Sequence, residues 1–236
     1  MRKGQGLHVP PEASSTTDIP LTPETPPTPE APKDCALCPR LVAYRDVNAT
    51  EEPGWFNGAV PSFGSDSAQL LIVGLAPGRN GANRTGRPFT GDYAGDLLYA
   101  TLLQYGFASG VYRADVSDGL KLNNAMITNA VRCAPPQNKP TPLEIGTCRP
   151  YFAARMEALP QLKIILALGR IAHDQTLAAL QKRKAAFPFA HGRRHELSDR
   201  FALYDSFHCS RYNTNTGLLT AEMFGAVFAA IRDELG

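Results

Sequence analysis

Leu70-Leu71-Ile72-Val73-Gly74 is a five-residue apolar run that passes directly into Leu75-Ala76-Pro77-Gly78, and this junction decides the fold. A run that is apolar at every position, rather than at alternate ones, reads as a strand covered on both faces. The Pro-Gly pair that follows reads as a turn. The same pattern recurs downstream in residues 125–131 (AMITNAV), 164–169 (IILALG) and 201–206 (FALYDS). Helical stretches alternate with these strands. One is expected near 93–105, with Leu97, Leu98, Leu102 and Tyr105 on one side, and another near 170–181. A third, near 221–235, carries Phe224, Val227, Phe228, Ile231 and Leu235 at helical spacing behind an N-cap Thr220. Thr141-Pro142-Leu143-Glu144 has the form of a capped helix start, and Pro150 should bend or shorten the helix that follows. Buried strands alternating with helices predict an α/β fold, a three-layer α/β/α sandwich around a central, mostly four-stranded parallel sheet. Ligands of such sheets bind outside the carboxyl ends of the strands. The loops after the first, second and fourth strands are therefore the expected site.

The chain has 236 residues, 43% of them apolar, and a formal net charge of +2, enough for one full core in one domain. No run of eighteen or more apolar residues suggests a membrane span, and the N-terminus lacks the apolar centre of a secretory signal, so a cytoplasmic protein is expected. A monomer is the default for this size. Residues 1–33 differ in kind: PPEASSTTDIPLTPETPPTPEAP is rich in Pro, Thr, Glu and Ser and nearly free of aromatics. Such a segment buries too little apolar surface to offset its ordering entropy, so 1–33 reads as a disordered tail ahead of a domain at 34–236. The tail has the composition of an arm that binds a partner. Without it the balance is still mildly basic, which permits a nucleic-acid partner without demanding one.

Four of the five cysteines fall into two pairs, Cys35-x-x-Cys38 and Cys133…Cys148, flanked by Pro39, Pro135 and Pro136. Buried free thiols and disulfides are the plain alternatives; persistent disulfides do not suit a cytoplasmic chain, and core cysteines do not usually sit among loop residues. Four thiolates suit zinc or an iron–sulfur cluster. Spacing leaves both open, with zinc ahead. Cys209 is not a ligand by this spacing.

Taken together, GLAPGRNGANRTGRPFTGD at 74–92, TNAVRCAPPQNKPTP at 128–142, ALGRIA at 167–172 and HCSRYNTNTG at 208–217 resemble the uracil-DNA glycosylase superfamily, most closely its family 5 (type b) members. The resemblance covers residues 34–236 and rests on the order and spacing of the motifs. It implies an enzyme that hydrolyses the N-glycosidic bond of uracil in DNA, single- or double-stranded, and of other deaminated bases such as hypoxanthine, leaving an abasic site. It also implies a prokaryotic protein working at the nucleoid, with a repair or replication partner for the N-terminal tail. The cysteine pairs match the family's [4Fe–4S] ligands, so the resemblance moves the metal from zinc to iron, with Cys35, Cys38, Cys133 and Cys148 as ligands. Ligands dispersed over 35–148 imply a brace rather than an electron carrier, since small ferredoxins bunch their cysteines.

Breaking the bond to uracil leaves an anionic base and an electron-poor sugar, so the nucleotide must be extruded, gripped and its charge stabilised. Gly74, Ala76 and Gly78 then form the water-facing, substrate-binding turn, or else an ordinary tight turn. Ala76 stands where other families carry an acidic or amide side chain, a departure shared by type b members. It leaves the water-activating group open, and Asp92 is the candidate for that role, with a plain helix N-cap as the alternative. Phe89 matches the aromatic that stacks on the flipped base, against the alternative of a core residue. Asn129 offers the donor and acceptor that complement the edge of uracil, or else braces a loop. His208 matches a neutral imidazole that donates to the uracil carbonyl oxygen, or is structural. Its turn reads His-Cys-Ser where many relatives have His-Pro-Ser, which loosens the loop. Arg211 and Tyr212 are expected to wedge into the duplex or touch phosphate, or else form solvated surface. Arg193 and Arg194, with Lys182-Arg183-Lys184, bracket the loop FPFAHG and are expected to face DNA phosphate, or else to be a solvated face. No lysine stands at these catalytic positions, so lyase chemistry is not expected. The competing reading is a non-catalytic nucleic-acid-binding protein with a zinc or iron–sulfur centre.

Overall fold

The computed structural model describes Met1 and residues 29–236, so the expected tail lies for the most part outside the described residues. Residues 29–33 lie against the body of the protein. The Pro29 carbonyl accepts from Arg132 at 3.0 Å, Glu30 reaches Arg132 at 3.2 Å and Arg155 at 3.0 Å, and the Lys33 carbonyl accepts the Ala59 N–H at 2.9 Å.

In chain order the elements are α1 (Pro39–Glu51), β1 (Phe63–Gly64), β2 (Leu70–Gly74), α2 (Ala82–Thr85), α3 (Tyr93–Gln104), β3 (Ala108–Ser109), β4 (Lys121–Leu122), β5 (Ala125–Asn129), α4 (Pro142–Glu157), β6 (Ile164–Leu168), α5 (Arg170–Ala179), β7 (Arg194–Glu196), β8 (Ala202–Ser206), α6 (Arg211–Asn215) and α7 (Ala221–Leu235). The main sheet has the order β1-β5-β2-β6-β8-β7. Its four central strands are parallel, as the apolar runs predict, and β1 and β7 add short antiparallel edges. Alternate residues of one strand feed two cores. Leu70 and Ile72 pack with Leu98, Leu102, Phe224 and Phe228 of α3 and α7, while Leu71 and Val73 pack with Phe152, Met156 and Leu177 of α4 and α5. That division makes the three layers.

The first strand, β2, sits between β5 and β6, and the chain leaves it in one direction to reach β5 and crosses back to reach β6. Gly74 therefore ends at the point where strand order reverses, the crevice in which open α/β sheets bind ligands. Strand β5 stops at Asn129, two residues short of the expected limit, yet Ala130 and Val131 still donate to the Gly74 and Leu75 carbonyls.

Two expectations need correction. Pro150 does not shorten its helix, for α4 runs sixteen residues through it. Pro150 is exposed, so water can satisfy the carbonyl it cannot serve, and the capping box of Thr141 and Glu144 with the packing of Phe152 and Met156 holds both ends. Helix α1 lies where the sequence offered only the Cys35-x-x-Cys38 motif and no helix was expected. Its sole buried side chains are Leu41 and Asn48, so no apolar stripe announces it. It is held instead by polar ties, Arg40 forking onto Glu144 at 2.8 and 2.7 Å and Arg79 onto Asn48 and Glu51 at 2.6 Å each.

Candidate active site

The loops after β2, β5 and β8 meet over one cavity of about 520 Å³ at the carboxyl end of the sheet. Ala76, Gly78, Phe89, Asp92, Asn129, His208 and Arg211 all line it. Gly74 forms its floor: a Cβ there would come within 2.3 Å of Asn129 Oδ1 and 2.7 Å of the Phe89 ring, so only glycine lets these two side chains meet over the strand end. Asn129, 2% exposed, ends β5, and its Oδ1 is buried with no hydrogen-bond partner among the described residues. A buried amide left short of a partner costs about 1–3 kcal/mol, so it is kept for a reason other than stability.

Phe89 is held in the left-handed region at φ 55°, an outlier for a bulky residue. Strain of this kind, of order 1–3 kcal/mol, persists only where the surroundings enforce it. Here Arg87 donates to Asp118 at 2.9 and 2.7 Å and to Thr90 Oγ1 at 2.6 Å, and the Tyr99 hydroxyl donates to the Pro88 carbonyl at 2.7 Å. The guanidinium beside Asp118 holds its carboxyl well below the usual carboxylate range, so the clamp is ionic at every physiological pH.

Asp92 is the N-cap of α3 and also lines the cavity. One oxygen caps α3, accepting from the Gly95 N–H at 3.0 Å. The other faces the turn after β2, where a Cβ on Gly81 would approach it to 2.5 Å. Burial raises the carboxyl above its ordinary range, and the Gly95 N–H works against that rise. His208 has the opposite shift, burial pushing it down to about 4, so its imidazole is neutral at pH 7. Neither ring nitrogen has a hydrogen-bond partner among the described residues, and the ring tilts 30° to Phe89 at 5.9 Å between centroids. Its turn is anchored despite Cys209 in place of proline: Cys209 is fully buried, Asn213 Nδ2 donates to the His208 carbonyl at 2.8 Å, and Ser210 caps α6.

At the rim, Arg211 lies over the Tyr93 ring at 5.1 Å and Tyr212 is 74% exposed. Arg193 and Arg194 do not line the cavity. Arg193 donates to the Pro188 carbonyl at 3.1 Å, and Arg194 is bound by Glu234 at 2.8 and 2.9 Å and Glu196 at 2.7 Å, so its charge is already matched. Lys182-Arg183-Lys184 follows α5, which runs back from the carboxyl end of the sheet, and Lys184 pairs with Asp174 at 3.3 Å. The cavity also has walls that sequence reading missed: Tyr44, Arg79, Asn80, Tyr93, Gln137 and Asn138. Gln137 and Asn138 take positive φ values of 56° and 57° behind the Pro135-Pro136 pair, the one local signal that could have found them.

A second, smaller pocket is lined by Cys35, Cys38, Cys133 and Cys148 with Leu41, Val131 and Tyr151. All four thiols are free, and the Arg132 N–H points at Cys148 Sγ at 3.3 Å. Burial and the neighbouring sulfurs push Cys133 up to about 12. Such thiols give up their protons only to a strong cationic partner, so this donor set fits a metal centre that joins the segment before α1 to the loop after β5.

Among the described residues no helix is long and apolar enough to cross a membrane. The description "Uracil DNA glycosylase superfamily" matches residues 61–232. The chain is 46% identical over 196 residues to the type-5 uracil-DNA glycosylase of Thermus thermophilus, covering 80% of this chain and 89% of the relative. It is 41% identical over 203 residues to the type-5 enzyme of Mycobacterium bovis (82% and 75%) and 40% over 207 to that of Mycobacterium leprae (82% and 88%). With its motifs gathered on one cavity and these relatives spanning most of its length, the chain belongs to the uracil-DNA glycosylase superfamily.

Proposed function

We propose that the protein is a monofunctional DNA glycosylase that hydrolyses the N-glycosidic bond of uracil in DNA, leaving an abasic site. The observation that carries this reading is the convergence of Phe89, Asp92, Asn129 and His208 on one cavity in which Asn129 Oδ1 and the His208 ring lack hydrogen-bond partners among the described residues. An extruded uracil supplies what they lack. Its edge offers an N–H beside carbonyl oxygens, complementary to the carboxamide of Asn129, and its face stacks on Phe89, a contact worth about 1–3 kcal/mol.

The bond between C1′ and N1 breaks with its electron pair going to the base. Negative charge gathers on the uracil carbonyl oxygen, where a neutral His208 donates a hydrogen bond at no ionisation cost. Asp92 orients a water towards the electron-poor C1′ and takes its proton as the new C–O bond forms, and the burial that raises its pKa makes the carboxylate a stronger base than a solvated one. The released base takes up a proton from solvent. Arg211 and Tyr212 contact the DNA around the gap.

The substrate range extends to other deaminated bases such as hypoxanthine. Ala76 supports this, because it puts a methyl group rather than a polar side chain on the wall, and a cavity of about 520 Å³ has room for a purine. Cys35, Cys38, Cys133 and Cys148 hold a [4Fe–4S] cluster. The thiol spacing supports iron over zinc: no three of these sulfurs come within 4.8 Å of one another, whereas four thiolates about 2.3 Å from one zinc would lie closer together. When bound, the group braces the fold, and hydrolysis asks no electrons of it.

Incubation with a uracil-containing oligonucleotide followed by alkali tests the reaction. Strand scission at uracil is expected and an intact strand would refute it; a panel with hypoxanthine tests the breadth. Iron and sulfide near four each per chain, lost in Cys133→Ser, test the cluster.

A further inference from the structure

The fold contains a second carboxylate–histidine centre that the proposed reaction does not use. Asp205, fully buried on β8, has Oδ1 at 2.6 Å from His173 Nδ1 of α5 and Oδ2 at 2.9 Å from His195 Nε2 of β7, and it accepts the Ala190 N–H at 3.2 Å. The other nitrogen of His173 donates to the Phe187 carbonyl at 2.9 Å. These three ligand-type side chains are the one set among the described residues close enough to share a metal ion. Their separations are those of direct hydrogen bonds, and both carboxylate oxygens are taken, so the centre is a brace. It ties residues 187 and 190 to the core of the sheet.

What the brace presents is His191. Its Nδ1 accepts the Phe207 N–H at 3.1 Å, and its ring stacks on Phe207 at 5.0 Å and 12°. Phe207 immediately precedes His208. The backbone of His208 is thus gripped from behind by His191 and from ahead by Asn213, at 2.8 Å. The His208 ring, lacking hydrogen-bond partners of its own among the described residues, takes its aim from this backbone and from packing alone.

We propose that His191 is a positioning residue for His208: its Nδ1, held in place by the Asp205 brace, fixes the Phe207 N–H and so the direction from which the imidazole meets the departing base. The inference rests on the role given to His208 above. An N–H donor requires an unprotonated nitrogen opposite it, so the Phe207 N–H selects the tautomer of His191 in which Nδ1 accepts. Burial lowers the His191 pKa and so favours that neutral ring.

Two variants test it, His191→Asn and His191→Leu. Asparagine places Oδ1 where Nδ1 stood and can still accept, leucine cannot, and both lose the stacking on Phe207. Single-turnover excision and steady-state kcat and KM on a uracil-containing oligonucleotide are measured beside melting temperature. His191→Leu should lower kcat roughly 10- to 100-fold with KM within about twofold, the usual result of a small misplacement. His191→Asn should recover most of that loss while melting no higher than the leucine variant. Equal kcat in the two variants, or a loss in KM instead of kcat, would overturn the inference. A wild-type protein that releases no uracil would overturn the reading of the whole site. A wild type that releases it, beside a leucine variant of full kcat, would overturn this inference alone.

Discussion

Asp92 and Asp205 are both carboxylates in the company of histidines at the same end of one sheet, and they differ in what their oxygens meet. Asp205 has three partners, and His173 beside it uses both ring nitrogens. Asp92 spends one oxygen on the cap of α3 and turns the other towards the cavity, where His208 uses neither nitrogen among the described residues. The same chemistry is thus closed in one place and open in the other. A buried polar group contributes to stability only when satisfied, so the closed centre holds the fold while the open one waits for a ligand. Incomplete pairing, more than residue type, marks the site.

Asp92→Asn tests the open member and carries the largest expected effect. Asparagine caps a helix as well as aspartate does, so the fold is kept while the base is removed, and kcat should fall by about 10²–10⁴. The raised pKa means the folded protein holds this proton more tightly than the unfolded chain. Ionisation therefore costs stability as pH rises from the unfolded pKa through the folded one, and the cost is complete above it. At pH 7 the variant should melt at or above the wild type. The acid limb of the wild-type rate, expected above the ordinary carboxylate range because low pH protonates the base, should vanish in the variant. A variant of normal rate would leave Asp92 only its cap. Asp205→Ala tests the closed member: removing one side of a buried pair costs about 3–5 kcal/mol, read from denaturant unfolding. A loss below 1 kcal/mol would mean that the brace carries no load. Phe89→Ala should weaken binding of uracil-containing DNA by about 1–3 kcal/mol in stacking, seen as a raised KM in the folded fraction, beside the loss of stability that truncating a buried ring brings. An unchanged KM would return Phe89 to the core.

The closed and open centres were unequally visible in the sequence. The four parallel strands could be read because each opens on a run of apolar residues buried on both faces, and the open site because its residues lie at the ends of those strands or in the loops that follow them. Helix α1 could not, since polar ties to α4 and the loop after β2 hold it in place of an apolar face. The brace was equally hidden. His173, His195 and Asp205 come from a helix, an edge strand and a central strand, and only the β6–α5–β7–β8 crossing brings them together. Arg194 shows the reverse case: a basic pair in the sequence reads as a phosphate contact, and nothing local announces Glu234, forty residues away, as its partner.

That last contrast gives the smallest prediction. Arg211 and Arg194 are both cations near the loops of one sheet end. Arg211 stands at the cavity rim over an aromatic ring with no carboxylate among its described partners, and Arg194 is enclosed by two. Binding to DNA is driven by counterion release, and only a cation that neutralises a phosphate adds to the salt slope, by about 0.9 in log–log units on B-form DNA. Arg211→Ala should therefore reduce the slope by about that amount. Arg194→Ala should leave the slope alone, because its charge is already spent within the protein, and should show instead as a small loss of stability at the β7 edge. A slope that falls in the Arg194 variant would mean that Glu234 and Glu196 release their partner when DNA arrives, and the boundary between closed and open groups would have to be redrawn at β7.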